Sequence, residues 1–100
     1  MKITLNTILL DVYGKEISDP ADKIPLTVGK AAVAALCAGG PDEKITGAEK
    51  FKRWQLAQKI AGVLEAELTV EEVALIKKVS GEVWGIVVVG PLWLALETTN

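Results

Sequence analysis

Lys50, Lys52, Arg53 and Lys59 bring four positive charges into ten residues, and Phe51 and Trp54 stand among them. Cations neutralise phosphate and aromatic faces stack on bases, so this segment is a candidate nucleic-acid face. Three features weigh against it. Glu49 interrupts the cluster, and Lys52 and Lys59, seven apart, fall on an ordinary solvated helix face. Helical spacing also turns Trp54 toward the core. The formal net charge of −2 is the reverse of a phosphate-binding footprint. Nucleic acid is therefore the alternative reading, not the leading one.

The other side chains able to do chemistry are not arranged as a site. There is no histidine, which removes the commonest general base, the usual zinc ligand and the Ser-His and Cys-His pairs. Cys37 is the only cysteine, so it reads as a small buried hydrophobe rather than half of a disulfide. Glu71 and Glu72 point about 100° apart on a helix and cannot share a substrate. They suit a helix first turn, where negative charge is favoured, and Asp42-Glu43 has the same explanation. No calcium-loop spacing and no phosphate-binding glycine pattern occurs. The sequence thus offers no catalytic residue, metal ligand or cofactor site, and predicts a protein that is not an enzyme.

The elements that must position these residues are well punctuated. At 100 residues the chain is one domain, with an extended ribbon and connector over 1–26 and a helical core over 27–97. Residues 4–10 carry β-branched and aliphatic side chains, and Gly14 can turn a short hairpin that returns through Lys15-Glu16-Ile17. Ser18-Asp19-Pro20-Ala21-Asp22 is a connector, and Pro25 bars a regular strand after it. Thr27 caps a helix over 27–38 that Gly39-Gly40 ends. Thr46 with Glu49 and Thr69 with Glu72 read as capping boxes that open helices over 46–64 and 69–82. The fold class is α+β, mostly helical: a short amino-terminal β-ribbon packed on a three- to four-helix core.

On the wheel of the Thr46 helix, Leu56, Ala57, Ile60, Ala61, Val63 and Leu64 make the apolar face. Arg53 projects from the middle of that face. It is read as a ligand-binding guanidinium, as a side chain snorkelling past the core, or as the structural partner of an acid such as Glu82. Phe51 lies beside the polar face, either covering the ribbon or standing as a contact residue.

Residues 83–96 contain no charge. A membrane span needs roughly 20 apolar residues, and no lysine or arginine flanks this run to orient it. The amino terminus, where Lys2 is followed by Ile-Thr-Leu-Asn-Thr, does not read as a signal peptide. A cytoplasmic location in a bacterial host, without a membrane partner, is the expectation. Residues 87–89 read as strand or as helix. The preferred helix runs over 86–97, against which Pro91 counts, unless Gly90 caps a shorter helix beginning at Pro91. Ile86, Val89 and Leu92 are expected to close the core. Trp84, Val88 and Trp93, with Phe51, are then the excess and the candidate protein interface.

The segment Ile45-Thr46-Gly47-Ala48-Glu49-Lys50-Phe51-Lys52-Arg53-Trp54, with Glu67-Leu68-Thr69-Val70-Glu71-Glu72-Val73-Ala74-Leu75-Ile76 after it, resembles a family of small phage- and prophage-encoded proteins. The extended start through Leu10-Asp11 and Gly14-Lys15-Glu16 and the close on Val88-Val89-Gly90 with Trp93, Leu94 and Leu96 fit the same pattern. The resemblance implies a viral context and no catalytic residue. Small phage proteins lacking a chemical site act by binding, so the expected function is non-enzymatic. It would modulate a host or phage protein partner, serve in phage assembly, or self-associate as a homo-oligomer.

Overall fold

The computed structural model describes residues 1–38 and 44–97. It is α+β and mostly helical, with the order β1 (Lys2–Thr4), α1 (Val28–Leu36), α2 (Gly47–Ile60), β2 (Glu65–Glu67), α3 (Val70–Val83) and α4 (Ile86–Glu97). The expected stop of α1 at Gly39-Gly40, and the role given to Asp42-Glu43, fall outside the described residues.

The ribbon differs from expectation in its pairing. Gly14 does turn a hairpin: it adopts φ +78°, and the Asp11 amide donates to the Lys15 carbonyl at 2.8 Å. Its arms meet only in the isolated bridge of Leu10 with Glu16, and two further bridges, Ser18 with Pro25 and Ile8 with Thr27, tie them to the segment before α1. Three backbone bonds close a ring among them. Leu9 N–H donates to Leu26 O at 2.9 Å, Leu26 N–H to Ile17 O at 2.7 Å, and Ile17 N–H to Leu9 O at 3.0 Å. Polar groups that extended chain would leave open are satisfied in this way while Leu9 and Leu26 go into the core.

The sheet itself joins distant pieces. β1 pairs antiparallel with β2 in the register Lys2 with Glu67, Ile3 with Ala66 and Thr4 with Glu65. Residues 61–64 were expected to extend α2, but the helix ends at Ile60 and Gly62 adopts φ +74°, a conformation that glycine takes at no steric cost. The turn leads the chain into β2, and Val63 and Leu64, expected on the apolar face, are exposed.

Packing is organised around α1. Thr27 caps it by accepting from Lys30 N–H, and Val28, Gly29, Ala31, Ala32, Ala35 and Leu36 are buried. It touches α2, α3 and α4. Its first turn is also tied to the extended amino terminus, Val28 N–H donating to Thr7 O and Gly29 N–H to Leu5 O at 2.8 Å. A methyl group at Gly29 would lie 3.1 Å from the Leu5 carbonyl oxygen and 3.3 Å from its Cβ.

α4 continues through Pro91, so the shorter helix capped by Gly90 is not formed. Val88, Leu92 and Leu96 form its buried stripe. Val88 was expected outside and Ile86 inside; the structure reverses both, with Val88 8% and Ile86 92% exposed. The reason is register. At about 100° per residue, the 88-92-96 row cannot face α1 unless Ile86, Gly90 and Leu94 face away.

The Gly29 contact yields a test. Alanine is the better helix former by about 1 kcal/mol, yet at this position its methyl meets backbone that must move. Gly29→Ala is expected to lower the free energy of unfolding by about 1–3 kcal/mol, measured by urea denaturation. An unchanged or raised midpoint would show that α1 and the Leu5 segment are not in close contact.

Candidate functional site

The proposed nucleic-acid face divides in three. Arg53 is buried at 6% exposure, with its Nε 3.6 Å from Glu49 Oε1 one helical turn away. It does not snorkel to water; its guanidinium belongs to the packing between α2 and its surroundings. The carboxylate at its Nε is that of Glu49, not of Glu82. Glu49 therefore turns to Arg53, and only the Thr46 half of that capping arrangement is made, the Thr46 hydroxyl accepting from Glu49 N–H at 3.1 Å.

Lys59 is committed to a structural contact. Its Nζ donates to both Glu72 carboxylate oxygens at 3.0 and 3.2 Å. Glu72 also accepts from Thr69 N–H at 2.8 Å and returns its own N–H to the Thr69 hydroxyl, which completes the capping box of α3. Partial burial pushes the Glu72 carboxyl up, but the Thr69 amide and the Lys59 ammonium outweigh it and hold the group below the ordinary glutamate range. One carboxylate thus caps α3 and pins the end of α2 to it.

Lys50 and Lys52 remain exposed, and so do the aromatics. Trp54, expected coreward, is 51% exposed and stacks on Phe51 with ring centroids 6.0 Å apart and planes 17° from parallel. The buried face of α2 is Arg53, Leu56, Ala57 and Ile60, which places residue 54 about 100° from its centre, on the flank. Phe51 is a surface residue that does not cover the ribbon.

The four candidate interface residues also separate. Val88 is core. Trp84 is half-buried against it, and its indole Nε1–H donates to the Ala31 carbonyl at 3.0 Å, so this tryptophan locks the α3–α4 corner onto α1. Trp93 is 37% exposed, with Lys77 Nζ 5.6 Å over its ring and Lys77 held in turn by Glu97 at 2.9 Å. Phe51 lies on α2, and α1 is the helix that both α2 and α4 contact.

What the sequence reading missed is the outer side of α4. Ile86, Val87, Gly90, Trp93 and Leu94 are all exposed, Leu94 at 67%, and only Glu97 at the last turn breaks the apolar character. The signal was present: a helix that is hydrophobic all round is ordinarily buried all round. A groove of about 460 Å³ adjoins this face, walled by Ile8 and Leu10 on one side and by Pro91, Leu94 and Ala95 on the other. A second pocket of about 550 Å³ lies between α1 and residues 60–64. At its mouth Asp22 pairs with Lys30 at 3.6 Å and Asp19 accepts from Ala21 N–H, so those carboxylates hold local structure.

Among the described residues no group of three or more acidic, cysteine or histidine side chains could hold a metal ion. No helix among them is long and apolar enough to cross a membrane. Comparison with protein-family models, with curated proteins and with solved structures finds no match.

The Lys59–Glu72 contact carries a pH signature. Because the Glu72 carboxyl titrates lower folded than unfolded, its contribution is complete above the ordinary value of 4.5 and fades as pH falls through the folded value. Glu72→Gln keeps an acceptor for the Thr69 amide and removes the charge. The native chain is expected to exceed this variant in stability at pH 7, with the gap closing on acidification below about 4.5, followed by thermal unfolding. A gap independent of pH would remove the ion pair from the account.

Proposed function

We propose that this chain is a non-enzymatic module that acts through protein contacts, with the outer face of α4 as its binding surface. The observation that carries the reading is an apolar helix with only one side used by the fold. Ile86, Val87 and Leu94, with the uncovered part of Trp93, leave an apolar surface in water, and contiguous exposed apolar patches mark contact sites. Large apolar and aromatic side chains are also what supplies binding energy at interfaces. In the phage or prophage setting that the sequence resembles, the contact modulates a host or phage factor, or serves assembly. A photo-crosslinking residue in place of Ile86 is expected to yield a discrete adduct with a polypeptide in extract of a phage-bearing bacterial host, and one in place of Lys78 none. Equal, diffuse labelling from both positions would reject α4 as the surface.

A second reading has its own observation. The stacked pair Phe51–Trp54 stands in water with Lys50 and Lys52 exposed around it, a platform on which a base can stack. It predicts quenching of Trp54 fluorescence by single-stranded oligonucleotide, weakening steeply with salt and lost in Lys52→Glu. Absence of quenching at low salt rejects it. The net charge of −2 and the engagement of Lys59 leave this reading second.

A further inference from the structure

We infer that the occupant of the α4 face is a second copy of this chain, docked antiparallel about a two-fold axis at Gly90. This rests on the reading of α4 as the contact surface and names its partner. At about 100° and 1.5 Å per residue, Gly90 is central on the outer face both around the helix and along it. Ile86 and Trp93 lie on one flank of Gly90, about 40° and 60° away, and Val87 and Leu94 on the other, about 60° and 40° away. A two-fold axis that reverses the helix direction keeps each residue on its flank and inverts its height. Ile86 then falls beside the second copy's Trp93, and Val87 beside the second copy's Leu94, each pair within about 1.5 Å of the same level. The face is therefore complementary to itself, the condition for an isologous interface.

Two further observations fit this occupant. Glycine weakens a helix interior, and a Cβ at Gly90 would meet nothing within 4 Å, so the chain's own packing gives no reason for a glycine there. Close approach of another backbone at the two-fold axis does give one. Charge does not oppose it. Glu97, the one charged residue on α4, stays paired with Lys77 of its own chain at 2.9 Å, and residues 86–96 of the two helices bring no like charges together. Since α4 has 12 residues, each copy contributes less than the roughly 800 Å² of a standard interface, and a reversible, concentration-dependent dimer is the expectation.

Sedimentation equilibrium of the purified chain tests this over a range of about 5 to 500 µM, wide enough for the small interface to form and dissociate. The mass of the native chain should rise from 10.7 kDa toward twice that value. Gly90→Gln puts a better helix former into open space, so helix content by circular dichroism should hold while dimerisation weakens at least tenfold. Ile86→Glu should abolish it, and Lys52→Glu should leave it unchanged. A native chain that stays monomeric throughout, or a dimer indifferent to Gly90→Gln, overturns the inference. A monomer that still gives an Ile86-specific adduct with a different polypeptide in extract overturns the second copy alone and leaves α4 as the surface. A monomer without such an adduct takes both down.

Discussion

The structure depends on how closely its elements approach α1. That helix turns glycine and alanine inward at 29, 31, 32 and 35, with Val28 and Leu36 at its ends. Small side chains bury little area of their own, so α1 cannot stabilise the fold through its own hydrophobic bulk. They let α2, α3 and α4 come near its axis, so that leucines and isoleucines of the neighbours fill the space between. The backbone takes part directly. Gly29 N–H and Val28 N–H hold the amino-terminal segment, and the Ala31 carbonyl receives the Trp84 indole. A helix of 9 residues is marginal alone, which makes its formation and the arrival of its neighbours one event.

The same constraint explains the two-sided character of α4. α4 meets α1, α3 and β1 on the side of the 88-92-96 row, with Ala95 packed beside it, so only that side reaches the core. Nothing in folding requires Ile86, Val87 or Leu94 to be apolar. A chain of this size can bury only about two-thirds of its surface, yet it has no need to place its largest aliphatic groups on the remainder. Residues that the monomer does not use, set symmetrically about a glycine it does not use either, are the basis on which a second copy is proposed.

Much of this was legible in sequence. The three threonine caps fixed the starts of α1, α2 and α3, since a cap is a local hydrogen-bond requirement read over four residues. Gly14 marked its turn for the same reason. β2 was not legible: Glu65-Ala66-Glu67 has no strand character, and it becomes a strand only because Ile3 brings an unpaired edge to it from more than sixty residues away. Trp54, Ile86 and Val88 were misplaced because a wheel gives relative directions and not the absolute direction of the core. Ala61, which stands next to Trp54 on the wheel and widened the inferred face toward it, lies beyond the end of α2 and is exposed. In α4, uniform hydrophobicity left the wheel without a polar side to orient it.

The claim at the centre of this account is that α4 has one side for the fold and one side that the folded monomer does not need. Its most direct measurement is the loss of unfolding free energy in Leu92→Ala compared with Ile86→Ala, by urea denaturation at low micromolar concentration. Leu92 is fully buried and Ile86 is 92% exposed. The account predicts a loss of about 2–5 kcal/mol for Leu92→Ala and a change within about 0.5 kcal/mol for Ile86→Ala. Comparable losses at the two positions would contradict it, by placing the supposed outer face inside the core.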